Sequence, residues 1–364
     1  MIKLLYITNS IKGAAGLERV LSIKASYLAD VLKYEVHILV LNDTNKPNFY
    51  DFSPSIKMHS IAVYGNLFTY IFKYISGIKA IVKKVNPTII SVCDDGLKAF
   101  FIPKIITSVP IIYERHVSKI IELGSNPTAI TQIKTAIKFA LMNYLGNSFD
   151  KFVVLTNDNL NEWKLKNTVV ISNPLSFYPL KSSTLLNKKV IAVGKQGVQK
   201  GYDRLLQSWK TVSNQHPSWQ LEIYGTFEKA SQLTNLVKEL NLSNSVHFFE
   251  PVKNIEDKFL ESSIFAFSSR FEGFGMVLIE AMACGVPCVS FNCPCGPSEI
   301  IKNEQDGFLV ENGDTTAFAN KIIYLIENEN IRLSMGNAAK ANVKRFLPLS
   351  IMPQWDALFK EIIQ

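Results

Sequence analysis

The stretch SRFEGFGMVLIEAMACGVP, residues 268–286, holds two carboxylates with seven residues between them: Glu272 among glycines and Glu280 inside an otherwise apolar run. Acidic side chains are rarely buried without a partner, so a lone Glu in an apolar helix asks for a chemical role. Gly273 and Gly275 let the backbone approach a ligand closely. The amides that open the next helix lack intrahelical partners, and with the helix dipole they form an anion site. Helical side chains lean toward the N-terminus, so Glu280, one turn past Met276, points back at the same loop. Both carboxylates then approach one place and can accept hydrogen bonds from neutral hydroxyls. A polyhydroxy ligand joined to a phosphate fits that arrangement. The plainer readings are an interaction of Glu280 with its own helix terminus and an ordinary loop charge at Glu272.

A second cluster is VGKQGVQKGYDRLL, residues 193–206, where Lys195 and Lys200 follow a strand and precede Gly201 and a helix. Two ammonium groups on such a loop can hold a diphosphate and stabilise it as it leaves. The glycine spacing matches neither a dinucleotide fingerprint nor a P-loop, and a solvated lysine loop is the plain alternative. In the first half, the strand PIIYERH ends on His116, placed to present a group to a ligand, although a lone His is commonly structural. Gly16 follows the first strand and precedes a helix, where it can admit a phosphate or an acceptor, or simply pack closely. Asp94 reads as a helix N-cap rather than a base.

Short β-branched runs must position these groups. Strands are expected at 3–9, 35–41, 57–63, 88–93, 110–116 and 152–156, with helices such as LERVLSIKASYLADVL between them. TVVISNP (168–174) reads as a connection, because Asn-Pro breaks regular structure. The pattern restarts with strands at 188–194, 220–225, 246–251, 264–269, 287–291 and 307–310. Alternating strands and helices imply two doubly wound α/β domains with parallel sheets, joined near residues 172–186. The domains are expected at 1–172 and 173–364, the second ending in helices of which the last can cross back to the first. Ligands bind outside the carboxyl ends of such strands, so chemistry is expected in post-strand loops facing a cleft.

The chain has 364 residues, 47% of them hydrophobic and 19% charged, which describes packed cores rather than disorder. The N-terminus reads as a first strand rather than a signal peptide, no apolar run is long enough for a membrane span, and a cytoplasmic enzyme is expected. The formal charge of +8 is uneven, with 19 basic against 12 acidic residues in 1–165. That excess suggests an anionic partner, a membrane surface or a phosphorylated acceptor, unless it is only a solvated face. No nucleic-acid module is evident. Cys284, Cys288, Cys293 and Cys295 do not follow a usual zinc spacing and read as small buried hydrophobes.

Glu272 to Glu280 forms an E-x7-E motif. With SRFEGFGMVLIEAMACGVPCVSF, GPSEII (296–301) and DGFLV (306–310), it resembles the retaining glycosyltransferases of family 4, which have the GT-B fold. The likeness covers nearly the whole chain, including the AGLERV turn at Gly16, His116, Ser172-Asn173-Pro174 and the Lys195/Lys200 loop. It implies that Glu272 binds hydroxyls of the transferred sugar and that the Gly273, Phe274, Gly275 and Met276 amides contact sugar and diphosphate. Glu280 would hold the ribose hydroxyls, Lys195 and Lys200 would neutralise the leaving diphosphate, His116 would contact the donor, and Gly16 would line the acceptor side. Lys195 stands where Arg is usual, which keeps the charge and loses the bidentate fork.

The resemblance further implies transfer with retention from a nucleotide-diphosphate sugar. UDP-hexose or UDP-N-acetylhexosamine is the expected donor, and a saccharide, lipid-linked at the inner face of the plasma membrane, the acceptor. Neither a cofactor nor a metal is required, since no D-x-D pair is present. The basic-aromatic stretches 68–85 and 133–145 suit membrane docking, or else pack as ordinary amphipathic helices. Rival readings are a nucleotide-sugar epimerase or hydrolase of the same fold and a non-catalytic sugar- or nucleotide-binding protein. A dinucleotide oxidoreductase lacks its G-x-G-x-x-G.

Overall fold

Thirteen strands among the described residues carry the apolar runs of the sequence, and their pairing is parallel throughout. The structure, a computed structural model, describes residues 1–44, 46–123, 128–226 and 232–364. The first sheet consists of β1 (Lys3–Thr8), β2 (Glu35–Leu41), β3 (Lys57–Ile61), β4 (Ile89–Cys93), β5 (Ile111–Glu114), β6 (Lys151–Val154) and β7 (Thr168–Val170). Its order is β3-β2-β1-β4-β5-β6-β7. The second sheet consists of β8 (Lys189–Val193), β9 (Gln220–Tyr224), β10 (Val246–Phe249), β11 (Ile264–Phe267), β12 (Cys288–Phe291) and β13 (Gly307–Val310), ordered β10-β9-β8-β11-β12-β13.

Both orders are the doubly wound one, and each reverses direction once, between β1 and β4 and between β8 and β11. The loops leaving the strands at a reversal diverge and leave a crevice for a ligand. In the second sheet those loops are 194–201 and 268–275, the two stretches that carry Lys200 and Glu272.

Central strands such as β4 and β11 are wholly buried, because parallel sheets are covered on both faces. On one face of the first sheet, Tyr74, Ile78 and Val82 of the helix Leu67–Val85, Phe100, and Met142 and Leu145 of the helix Ala129–Gly146 share a core with Ile90 and Tyr113. In the second sheet, Trp209 is fully buried among Val190, Leu221 and Ile264, and its indole donates to Ser245 Oγ at 3.1 Å.

One expectation needs correction. Residues 168–170, read as part of a connection, form β7 at the sheet edge, with Phe152, Val153 and Val154 opposite Thr168, Val169 and Val170. Three β-branched or apolar residues suffice for pairing there, and Asn173-Pro174 ends it. The chain divides into one unit of Met1–Pro174 with Pro348–Gln364 and another of Leu175–Leu347, so the last helix groups with the first sheet, the crossing back that the sequence allows. That helix, Pro348–Ile363, turns Ile351, Met352, Trp355 and Phe359 inward, and its Asp356 accepts from the Tyr34 hydroxyl at 2.7 Å. No helix among the described residues is long and apolar enough to cross a membrane.

Candidate active site

The loops after β8 and β11 are stitched together by backbone and side-chain hydrogen bonds. Ser268 Oγ donates to the Lys200 carbonyl at 2.8 Å, and the Arg270 amide donates to the Gln199 carbonyl at 2.7 Å. Gly201, in the left-handed region at φ 62°, sits so close that an added Cβ would lie 2.2 Å from Ser268 O. Arg270 grips Asp203 through both terminal nitrogens at 2.8 and 2.6 Å. Burial pushes the Asp203 carboxyl up, but Arg270 outweighs it and holds the group below its usual range. Arg270 is therefore committed to the scaffold, and the ammonium groups remain the cations for chemistry.

The result is an ion pair at the mouth of the crevice. Lys200 Nζ lies 2.8 Å from Glu272 Oε1, with side-chain exposures of 19% and 8%. Ser269 Oγ donates to the same oxygen at 2.7 Å, while Gln199 Nε2 reaches Oε2 at 3.3 Å. Lys195 is exposed on the same loop. The structure thus joins Lys200 directly to Glu272, where the sequence suggested only a shared edge. Ser269 and Gln199 were not singled out, because each contact links residues far apart in the chain or hidden at a strand end.

The helix Met276–Ala283 opens at Gly275, which has φ 102° and no side-chain cap. Its first residues, Met276 and Val277, are half-buried, whereas residues 272–275 and 278–291 are buried. The amides of that first turn have no side-chain cap and follow directly on the Glu272 loop, an arrangement that suits anions. Phe274 turns its ring into the core, 5.5 Å from that of Phe346 in an edge-on contact, and leaves the backbone for ligand. A Cβ on Gly296 would stand 2.1 Å from Phe274 O, so the GPSEII turn supports the loop from behind. Glu280 is fully buried on this helix, and its Oε1 accepts from Ser176 Oγ at 2.8 Å. Ser176, just past the Ser172-Asn173-Pro174 connection, is a further residue that the sequence reading missed.

In the first unit, His116 belongs to a second polar cluster. His116 Nε2 lies 3.2 Å from Glu114 Oε2, two residues back along β5. Lys24 Nζ reaches the same oxygen at 2.5 Å, and Ser91 Oγ donates to Oε1 at 2.6 Å. Burial pushes the Glu114 carboxyl up, but the Lys24 and His116 charges prevail and hold it below the usual carboxylate range. Gly16 opens the helix Gly16–Asp30, and a Cβ there would meet nothing within 4 Å, so close protein packing does not explain that glycine. Asp94 is not the N-cap itself, which is Gly96. Its Oδ1 instead accepts the Gly96 amide at 2.8 Å and so fixes the turn ahead of the short helix Leu97–Phe101. Cys284, Cys288, Cys293 and Cys295 are free and buried, and burial pushes the Cys284, Cys288 and Cys293 thiols up toward the protonated form.

Comparison with known proteins bears on this geometry. Residues 182–342 match the family described as glycosyl transferases group 1. The chain is 30% identical over 367 residues to the amylovoran biosynthesis glycosyltransferase AmsD of Erwinia amylovora, covering 98% of this chain and 99% of that protein. Among solved structures, sucrose-phosphate synthase from Thermosynechococcus elongatus superposes with a TM-score of 0.84 at 19% identity, covering 99% of both chains. Anabaena Alr3699/HepE, in complex with UDP-glucose, superposes with a TM-score of 0.80 at 19% identity, covering 99% of this chain and all of the other. Two doubly wound parallel sheets, the crevice at the second reversal and the full-length relative agree: the chain belongs to the glycosyl transferases group 1 family and has the GT-B fold.

Proposed function

We propose that the chain is a retaining, metal-independent hexosyltransferase of family 4. It moves a hexose or N-acetylhexosamine from a UDP-sugar to a saccharide, carried on a lipid, in assembly of a bacterial surface polysaccharide. The reaction takes place in the cytoplasm at the inner face of the plasma membrane. The observation that carries this reading is the Lys200–Glu272 pair set beside the uncapped amides at Gly275, at the reversal of the second sheet. Support for the donor and the pathway comes from a relative named for amylovoran biosynthesis and a structural neighbour in complex with UDP-glucose.

The roles follow from the chemistry each group can do. Glu280, held by Ser176, offers a buried carboxylate to the ribose hydroxyls. The amides of residues 273–276 take sugar and diphosphate oxygens, with Lys195 and Lys200 supplying positive charge. Glu272, already held by Ser269 and Gln199, accepts hydroxyls of the sugar and keeps Lys200 aimed at the leaving group. For His116 and Gly16, in the first unit, the family resemblance suggests contact with the donor and lining of the acceptor side. As the bond from the anomeric carbon to the phosphate oxygen breaks, its electron pair stays on that oxygen. The acceptor hydroxyl bonds to the same face of the carbon, and its proton passes to the leaving phosphate. Lys200 stabilises charge that grows in this step, which is where a preorganised cation acts most strongly.

The test is incubation with UDP-sugars and lipid-linked or simple saccharide acceptors in the presence of a chelator, with the anomeric configuration of the product read by NMR. An α-product from an α-donor without metal is expected. A β-product, or dependence on added metal, overturns the mechanism. UDP release that ignores the acceptor favours the hydrolase, and a changed donor sugar without transfer favours the epimerase. Binding of UDP without turnover favours the non-catalytic reading.

A further inference from the structure

The helix Ala129–Gly146 carries two apolar faces where one would suffice for its core. Thr135, Met142, Leu145 and Gly146 face inward. Ile130, Ile133, Ile137, Leu141 and Tyr144 follow at steps of three and four residues, so they form one stripe down the helix. That stripe is bare: exposures are 66% for Ile130, 61% for Ile133, 65% for Ile137 and 73% for Tyr144. A solvent-facing helix normally keeps such positions polar. The expectation that this segment merely packs on its own sheet is therefore only half right, since its sheet-facing residues are a different set.

The helix Leu67–Val85 lies on the same face of the first sheet and repeats the feature at its start, where Leu67, Phe68, Ile71 and Phe72 are exposed. Both helices begin after a parallel strand, β3 or β5, so their first turns lie at the carboxyl edge of the sheet, where Gly16 and His116 also stand. Each start is held by a side-chain cap, Asn66 Oδ1 on the Thr69 amide and Thr128 Oγ1 on the Thr131 amide. Neither helix contains a carboxylate, while Lys73, Lys79, Lys83, Lys84, Lys134 and Lys138 are all cationic.

From these observations we infer that this two-helix face is a docking surface for an anionic lipid bilayer. The isoleucine stripe and the Phe68 and Phe72 rings enter the headgroup–acyl boundary while the lysines meet anionic headgroups, as amphipathic surface helices do. Charge selects the occupant. Two copies of this chain meeting through the face would set lysine against lysine, whereas an anionic bilayer complements them. The surface deepens the proposed function and rests on its lipid-carried acceptor, whose saccharide would be delivered at the edge where the helices begin.

The test is co-sedimentation with phosphatidylcholine vesicles and with mixed phosphatidylcholine–phosphatidylglycerol vesicles. Binding to the mixed vesicles and much weaker binding to phosphatidylcholine alone are expected. An Ile133→Ser/Ile137→Ser variant should lose about tenfold in partitioning per isoleucine. A Lys134→Glu/Lys138→Glu variant should lose at least about fivefold per lysine. Ile133, Lys134 and Ile137 are exposed and Lys138 is half-buried, and thermal unfolding checks that the variants remain folded. No sedimentation with anionic vesicles overturns the inference, as does equal binding to both compositions. A concentration-dependent dimer, or capture of an acidic soluble protein, abolished by the isoleucine variant while vesicles are ignored also overturns it. Transfer to a short water-soluble acceptor is measured alongside: if it is absent while vesicle binding behaves as stated, the transferase mechanism fails and the surface stands.

Discussion

Replacing Lys200 by alanine separates what the ion pair does for the fold from what it does for the reaction. Breaking a deeply buried pair costs about 3–5 kcal/mol, because the surviving charge is left without a partner. Two features reduce that figure here. The Lys200 side chain is 19% exposed, and Glu272 keeps donors from Ser269 at 2.7 Å and Gln199 at 3.3 Å. A stability loss of roughly 1–2 kcal/mol is therefore expected, near that of a charged hydrogen bond. The kinetic loss should be larger, since an ammonium aimed at a leaving diphosphate acts where charge grows. Removal of one such donor lowers turnover by roughly 10²–10³-fold, equivalent to about 2.7–4 kcal/mol. The assay is steady-state transfer from a UDP-sugar at a temperature where thermal unfolding confirms both proteins are folded. If the loss falls mainly in kcat, Lys200 acts on the transition state; a rise in KM alone means it only holds ground-state donor. A loss under about threefold with the fold intact refutes the assignment, far short of what a transition-state donor contributes.

Glu280→Gln should chiefly weaken UDP binding, and Ser176→Ala should weaken it less, because the serine only holds the carboxylate; titration calorimetry distinguishes them, and unchanged UDP affinity in Glu280→Gln refutes the ribose role. Gly201→Ala places a Cβ 2.2 Å from the Ser268 carbonyl at a left-handed position, so the two loops must part; reduced UDP affinity and a lowered Tm are expected, whereas wild-type behaviour contradicts the stitched-loop geometry. Lys24→Met should cost about 3–5 kcal/mol in unfolding experiments, since Glu114 is left buried with its main counter-charge gone. In the wild-type protein the folded Glu114 pKa, about 2, is lower than that of the unfolded chain, about 4.3. Stability from that pair is thus present above about pH 4.3 and is lost as pH falls toward 2; denaturation midpoints across that range should decline more steeply in the wild type than in Lys24→Met.

The strands were legible because parallel strands buried on both faces need continuous apolar runs, and β1, β4 and β11 each show one. β7 escaped because its three residues are only half-buried and lie just ahead of Asn173-Pro174, so pairing with β6 rather than composition makes it a strand. In the site, the positions of Glu272, Glu280, Lys200 and the glycines were legible from spacing within a strand–loop–helix unit. Their partners were not. Ser176 lies 104 residues from Glu280 and Gln199 lies 73 from Glu272, and no local periodicity reports such pairs. Glu114 had a weak signal, because in the expected strand 110–116 it would share a side with His116, although β5 itself ends at Glu114.

The last helix makes the same point in a form that can be measured. By order along the chain it continues the second domain, yet Trp355 covers Lys24, with Nζ 3.3 Å from the ring centroid. Lys24 in turn holds Glu114, which meets His116. A cation over an indole that excludes water is worth about 2 kcal/mol, and truncating a buried Trp leaves a cavity costing about 3–5 kcal/mol. Trp355→Ala should therefore destabilise the protein by several kcal/mol, while Trp355→Phe retains an aromatic face and loses less. The two variants should also differ in transfer rate measured below their unfolding transitions, because water admitted beside Lys24 weakens its grip on Glu114 and lets His116 move. If both variants lose stability and yet transfer at wild-type rates, the helix is only a cover for the first sheet. A rate that falls with Trp355→Ala and recovers with Trp355→Phe would tie the end of the chain to the histidine just past β5.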